Sequence, residues 1–178
     1  NALFEDGAVV VLEGHVETPV HLVHVATPGE TPRAAYPRLV VVARGGSQAT
    51  LVESFLTRPG EGKHLTNAVA EVAIDDGARL EHVRVTEGEP HAMQLAYLAV
   101  RLGRDAYYGS RAVALGGALT RLELTVRFEG PGSEAVLDGV YHVDGREHVD
   151  HQVLVTHAAG HCASHVTYRG LLDGKGHA

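Results

Sequence analysis

Ala68-Val69-Ala70-Glu71-Val72-Ala73-Ile74, then Asp75-Asp76-Gly77, then Leu80-Glu81-His82-Val83-Arg84-Val85 is the stretch that decides the fold. Two runs alternate with period two and are rich in apolar and β-branched residues, the signature of strands. Between them lies a turn, where Asp supplies a local hydrogen bond and Gly a positive φ. The same grammar recurs on either side. Residues 39–42 and 49–52 flank Arg44-Gly45-Gly46-Ser47, and residues 95–100 and 106–108 flank Gly103-Arg104-Asp105. Residues 122–126 and 136–141 flank Glu129-Gly130-Pro131-Gly132. No run carries apolar residues at i, i+3, i+4 and i+7, so the chain reads as all-β.

These pairs of runs recur at a nearly constant interval. Anchored on Val20, Ala49, Ala78, Ala106, Ala135 and Ser164, the pattern returns about every 29 residues. Two positions beyond each anchor stands Leu22, Leu51, Leu80, Tyr108, Leu137 or Val166. A period of roughly 20 to 50 residues marks a repeat whose units bury their apolar face only by stacking. Equivalent strands would then lie parallel, about 4.8 Å apart. An antiparallel sandwich is the rival, since regularly spaced short strands also suit it. The constant step favours a right-handed parallel β-helix, a single-stranded solenoid of about six rungs. It predicts Leu51, Leu80 and Leu137 inside the coil, and the anchors stacked in a column.

At 178 residues the chain suits one domain, 1–178, long enough for a core. The absence of Trp and the three Phe suit a narrow solenoid interior. A net charge of −7, with no basic stripe, argues against nucleic acid as a partner. No apolar run approaches the ~20 residues that cross a bilayer, so no membrane partner is expected. A single cysteine, Cys162, precludes a disulfide framework and points to a reducing, cytoplasmic compartment. The chain begins without Met and stops in a turn, 173–178, so the domain reads as truncated at both ends. Open terminal rungs would expose unpaired strand edges, which leads us to expect self-association into a homo-oligomer. Loops at 26–33 and 57–63 combine Pro, Gly and charge and read as exposed bulges from the coil.

Thirteen histidines are the compositional oddity. His142, His148, His151, His157, His161 and His165 crowd into one short stretch, beside Asp138, Asp144, Asp150 and Cys162. Imidazole, thiolate and carboxylate are ligands for Zn and Fe, which makes His157, His161 and Cys162 candidate metal ligands. Against this, His148 and His151 differ in parity and would face opposite sides of a strand. Neither C-x-x-C nor H-E-x-x-H occurs. A second constellation follows from the repeat: His24, Glu53 and His82 share the parity of the apolar positions and would form a column. Such a column could bind a metal or relay protons; the plainer reading is a hydrogen-bonded polar line within the coil. His161 precedes Cys162, and an imidazolium neighbour favours a thiolate. Arg79, Glu81, Glu123 and Asp138 could serve a glycan-cleaving β-helix, but nothing in their spacing separates them from a solvated face.

One ordered set of motifs is more specific. Leu137-Asp138-Gly139-Val140-Tyr141, Val149-Asp150-His151, Val155-Thr156-His157, His161-Cys162-Ala163-Ser164 and Tyr168-Arg169-Gly170-Leu171-Leu172 follow one another in the second half. Upstream stand Val100-Arg101-Leu102-Gly103-Arg104-Asp105, Leu115-Gly116-Gly117 and Thr120-Arg121-Leu122-Glu123-Leu124. The first half adds Asn1-Ala2-Leu3, Pro19-Val20-His21-Leu22, Pro37-Arg38-Leu39-Val40-Val41-Val42, Ala49-Thr50-Leu51-Val52-Glu53 and Thr66-Asn67-Ala68-Val69. With these the chain resembles the SufB/SufD family of the SUF iron–sulfur cluster assembly system, the SufD side most of all. The resemblance implies a right-handed parallel β-helix and a non-enzymatic scaffold working with a SufB-like paralogue and a SufC-type ABC ATPase. It also implies helical regions at both ends of full-length members, absent here, one of which docks the ATPase.

The family's Cys-Ser-His-Gly motif, tied to cluster building, has no counterpart, so that role does not pass to Cys162. Where the family often has Pro before the His-Cys pair, this chain has Gly160. The expectation is an iron–sulfur cluster in the full complex and none held by this chain alone. No G-x-x-x-x-G-K-[ST] loop is present for ATP. The alternatives are a β-helical enzyme acting on polysaccharide, or a small metal-binding module.

Overall fold

The computed structural model describes residues 3–178 apart from 5, 28 and 61. The Asn1-Ala2 opening of the motif set therefore lies outside the described residues, as does part of each bulging loop. Every regular element among the described residues is a strand. In chain order they are β1 (Gly7–Leu12), β2 (Val20–Ala26), β3 (Arg33–Ala35), β4 (Arg38–Ala43), β5 (Gln48–Thr57), β6 (His64–Ile74) and β7 (Arg79–Gly88). There follow β8 (Ala92–Leu102), β9 (Tyr107–Gly116), β10 (Leu119–Phe128), β11 (Glu134–Val143), β12 (His148–His157) and β13 (Ala163–Leu172).

One wall has the order β1-β4-β6-β8-β10-β12, with β3 also on β6, and the other β2-β5-β7-β9-β11-β13. The pairings between these strands are all parallel. The chain alternates between the two walls rung after rung, which makes a parallel β-solenoid of about six turns. Tyr36-Pro37 separates β3 from β4, because proline has no N–H to give the ladder; its carbonyl still accepts from Val69 N at 3.0 Å. Alternate residues of each strand point inward, and Leu51, Leu80 and Leu137 are fully buried as the repeat predicts.

The anchor column needs correction. Gln48 pairs with Arg79, Arg79 with Tyr107, Tyr107 with Glu134 and Glu134 with Ala163. The residues before these, Ser47, Ala78, Ala106, Ser133 and Cys162, therefore share a level at each corner. Ala78 and Ala106 stack as expected, as do Ala135 and Ser164, whereas Ala49 pairs with Leu80, Ala135 with Tyr108, and Val20 with Leu51. The true step along this column varies from rung to rung, longest between Ser47 and Ala78 and shortest between Ala106 and Ser133. A slip of two positions keeps every side chain on its own face, so the error left the inside–outside assignment intact. Small residues stand at both levels, which is why sequence spacing alone could not choose between them.

The residue before each corner is left-handed: Gly46 (φ 69°), Gly77 (φ 68°), Asp105 (φ 52°), Gly132 (φ 78°) and His161 (φ 57°). These turns stack through Gly46 N to Asp76 O, Gly77 N to Arg104 O and Asp105 N to Pro131 O, at 2.8–3.0 Å. Left-handed backbone is disfavoured for residues with a Cβ, so three of the five are glycine. Beside this edge the interior is apolar, with Ile74, Leu80, Leu102, Phe128 and Leu137 fully or almost fully buried. Toward the opposite edge the inward positions turn polar: Thr66, Arg84, Thr86, Gln94, Thr120 and His151.

Candidate functional site

The polar part of the interior is organised around one carboxylate. β5 brings Glu53 inward between Leu51 and Phe55, where it is 1% exposed. Parallel stacking then sets donors on either side. His24 Nε2 lies 3.3 Å from Oε1, while His82 Nε2 at 2.9 Å and Arg84 Nη1 at 3.3 Å lie beside Oε2. Burial alone would raise the Glu53 pKa, but Arg84 and the two imidazole hydrogen bonds outweigh it and hold the carboxyl well below the usual carboxylate range. An ionised carboxylate only accepts, so each of those imidazole nitrogens carries the proton and donates. With that proton on Nε2, the His82 Nδ1 faces the Tyr108 hydroxyl at 3.1 Å. Burial above all raises the Tyr108 pKa, which keeps that hydroxyl a donor.

Aromatic packing completes the cluster. The His24 ring stacks on Phe55 with centroids 4.3 Å apart, and the Arg84 guanidinium lies 4.0 Å from the same ring's centroid. His24, Glu53 and His82 thus come together in the hydrogen-bonded form, but diagonally and not as a level column, since Glu53 pairs with Leu22 and Arg84 while His24 pairs with Phe55 and His82 with Leu51. The cluster is broader than the sequence reading, which overlooked Arg84 and treated Tyr108 as simply apolar. The available signal was parity: Arg84 follows Leu80 and His82 at intervals of two.

The motif residues of the second half converge on a neighbouring point. Gly139 pairs with Tyr168 and Tyr141 with Gly170, so each large ring occupies the space beside a glycine on the adjacent strand. A Cβ on Gly139 would collide with the Tyr168 ring, and one on Gly170 would collide with the Tyr141 ring. From the other wall, His151 meets both tyrosines edge-on, at centroid distances of 5.7 and 5.3 Å. Burial lowers the His151 pKa, and Arg84 adds to that while Asp150 opposes it. Burial, with a smaller contribution from Asp138, pushes the Tyr168 hydroxyl up to about 12.

The candidate metal ligands are placed differently. His161 is the left-handed turn residue of the last corner, exposed to solvent. Cys162 occupies the small corner position, half-buried, with Sγ 3.4 Å from the carbonyls of Gly130 and Gly160. One rung earlier Ser133 bonds the carbonyl of Gly103 in the same way, at 2.5 Å. His157 ends β12, with Nε2 3.0 Å from Ser164 Oγ and its ring against Phe128. Among the described residues no three His, Cys, Asp or Glu side chains are gathered where they could hold a metal ion. The histidines of the second half separate by parity, with His151 inward and His142, His148, His161 and His165 exposed.

The outer carboxylates are engaged as well. Arg111 lies between Glu81 at 3.9 Å and Asp138 at 3.5 Å, and Arg121 bonds Glu123 and Asp150. Arg79 lies over the Tyr107 ring, 4.2 Å from its centroid. Apart from the Arg121–Glu123 pair within β10, these are cross-strand contacts on the outer faces, each worth little in water. No helix among the described residues is long and apolar enough to cross a membrane.

The geometry thus defines a parallel β-solenoid with an ion pair and histidines sealed inside it, and Arg-paired carboxylates outside. The family model for the SUF system FeS cluster assembly SufBD core domain matches residues 24–178, and the chain belongs to that family. The SufBD family protein Rv1462 of Mycobacterium tuberculosis is 33% identical over 173 residues, covering 96% of this chain and 42% of that protein. The SufBD family protein slr0076 of Synechocystis is 29% identical over 140 residues, covering 72% and 31%. SufD of Escherichia coli is 25% identical over 162 residues, covering 90% and 38%. The chain spans less than half the length of these curated relatives. The family implied by the motifs is therefore the family found.

Proposed function

We propose that this chain is the β-solenoid part of a non-catalytic scaffold on which SUF iron–sulfur clusters are assembled, acting in a complex with a SufB-like paralogue and a SufC-type ATPase. The observation that carries the reading is the family match over residues 24–178. Its support in the structure is the stack of parallel rungs, whose outer carboxylates Glu81, Glu123, Asp138 and Asp150 are paired with Arg111 and Arg121. The cluster is cargo of the complex, and this chain supplies a rigid wall. Cys162, set at a packed corner, contributes to that wall. The compartment is cytoplasmic in this reading.

The test is co-expression of the full-length protein with the SufB-like and SufC-type proteins of its own source. A stoichiometric complex that acquires iron and sulfide under anaerobic reconstitution supports the proposal. Failure to co-purify with either partner, or glycan-cleaving activity in the isolated protein, overturns it.

A further inference from the structure

In the polar half of the coil, five buried side-chain atoms have no hydrogen-bond partner among the described residues: Arg84 Nη2, Gln94 Nε2, His151 Nδ1, His64 Nδ1 and Tyr168 Oη. The first three belong to residues that line one void between the walls, and Thr86 and Thr120 line it too. The stacking of small residues makes the void. Arg84 pairs with Ala112 and Thr86 with Ala114 on one wall, and Gln94 pairs with Thr120 on the other. At water size its volume is about 10 Å³, at the lower bound of what one water molecule occupies.

We propose that this void is a binding site for a single ordered water, which bridges the two walls by accepting from Arg84 Nη2 and Gln94 Nε2 and donating to His151 Nδ1. The donor and acceptor count matches the guest. A guanidinium and an amide nitrogen can only donate, so the guest must accept twice. A neutral imidazole with its proton on Nε2 leaves Nδ1 as an acceptor, so the guest must also donate. Water meets all three demands at once. A halide or other bare anion cannot donate to His151, and an ammonium-like cation cannot accept from Arg84. The net charge of the surroundings agrees, because the Arg84 charge is already balanced by Glu53.

Burial keeps His151 neutral, in line with this arrangement. The water joins the Glu53 cluster to the Tyr141–His151–Tyr168 cluster by hydrogen bonds. Buried waters of this kind make about three hydrogen bonds and are costly to remove.

The experiment is a high-resolution crystal structure of the protein, with ¹⁵N NMR of His151 and water relaxation dispersion on the same protein. The expected result is one density peak of water size within hydrogen-bond distance of all three nitrogens, and His151 as the Nε2–H tautomer. A Gln94→Met variant should fill the void and abolish one long-lived water signal while the fold is retained. A dry void, a direct bond from Gln94 or Arg84 to His151, density of an anion, or the Nδ1–H tautomer would each overturn the proposal. The crystal structure of the unaltered protein decides the matter even if the variant does not fold.

Discussion

Replacing Glu53 by Gln isolates the charge at the centre of the coil with almost no change in shape. Three donors converge on the carboxylate, and one belongs to Arg84, 5% exposed and unable to give up its proton. Removing one partner of a buried pair costs about 3–5 kcal/mol, because the other charge stays buried and uncompensated. The amide adds a conflict of its own. Its oxygen can serve one side of the cluster, but its N–H₂ then meets a donor on the other, and an unsatisfied buried donor costs about 1–3 kcal/mol. Since relaxation of His82 toward its other tautomer relieves part of this conflict, we expect a total of about 3–5 kcal/mol, a large share of the ~5–15 kcal/mol of a typical domain. Urea titration followed by circular dichroism reads it as a lower midpoint at unchanged slope. The double variant Glu53→Leu/Arg84→Met should recover much of the loss, since replacing a buried pair by apolar groups is often near neutral. A Glu53→Gln protein within about 0.5 kcal/mol of the parent would refute this reasoning, and so would a double variant no better than the single one.

The same carboxylate sets a pH dependence. Its pKa is depressed on folding, so its contribution is fully present above the unfolded value of about 4.3 and is lost as pH falls below it toward the folded value. The stability gap between parent and Glu53→Gln should therefore narrow in acid titrations below about pH 4, and a constant gap would contradict the assignment. Leu80→Ala, at a fully buried position, should cost roughly 2–5 kcal/mol in the same titration. Gly139→Ala should displace the Tyr168 ring and destabilise by about 1–3 kcal/mol through overpacking, visible as a lower melting midpoint. His161→Gly should be at least as stable as the parent and His161→Val less stable by about 1 kcal/mol or more, because position 161 is left-handed. Equal losses for Gly and Val would mean that the imidazole, not the turn, matters there.

Much of this was legible because strand parity is a strong signal. Inward Leu51, Leu80 and Leu137, the turns at 44–47, 75–77, 103–105 and 129–132, and the shared inward face of His24, Glu53 and His82 all follow from period two combined with a repeat of nearly constant length. The exact stacking was not legible. Rungs here differ in length because the turns vary, and an alignment on small residues cannot distinguish Ala49 from Ser47 or Ala135 from Ser133. Arg84 escaped notice because an inward arginine is rare unless paired, and its partner Glu53 lies a whole rung earlier in the chain. The histidine-rich second half misled for the opposite reason. Proximity in sequence suggested a shared site for His157, His161 and Cys162, while the solenoid assigns them to a strand end, a turn and a corner.

The division of the interior explains why one chain tolerates so many buried polar groups. Beside the tight corners, rungs are held by Ile74, Leu80, Leu102, Phe128 and Leu137, where dense apolar packing supplies stability without directionality. At the opposite edge, connections vary in length and in places bulge, so stacking there needs a directional restraint. Hydrogen-bonded groups provide one. Glu53 ties three successive rungs through His24, His82 and Arg84, and Tyr108 extends the tie to a fourth. A slip of β5 against β7 by two positions that set Glu53 opposite Thr86 would keep the apolar faces inside and yet carry Glu53 four positions from His82 and out of its reach. The polar axis thus penalises the misregister that apolar patterning alone leaves open.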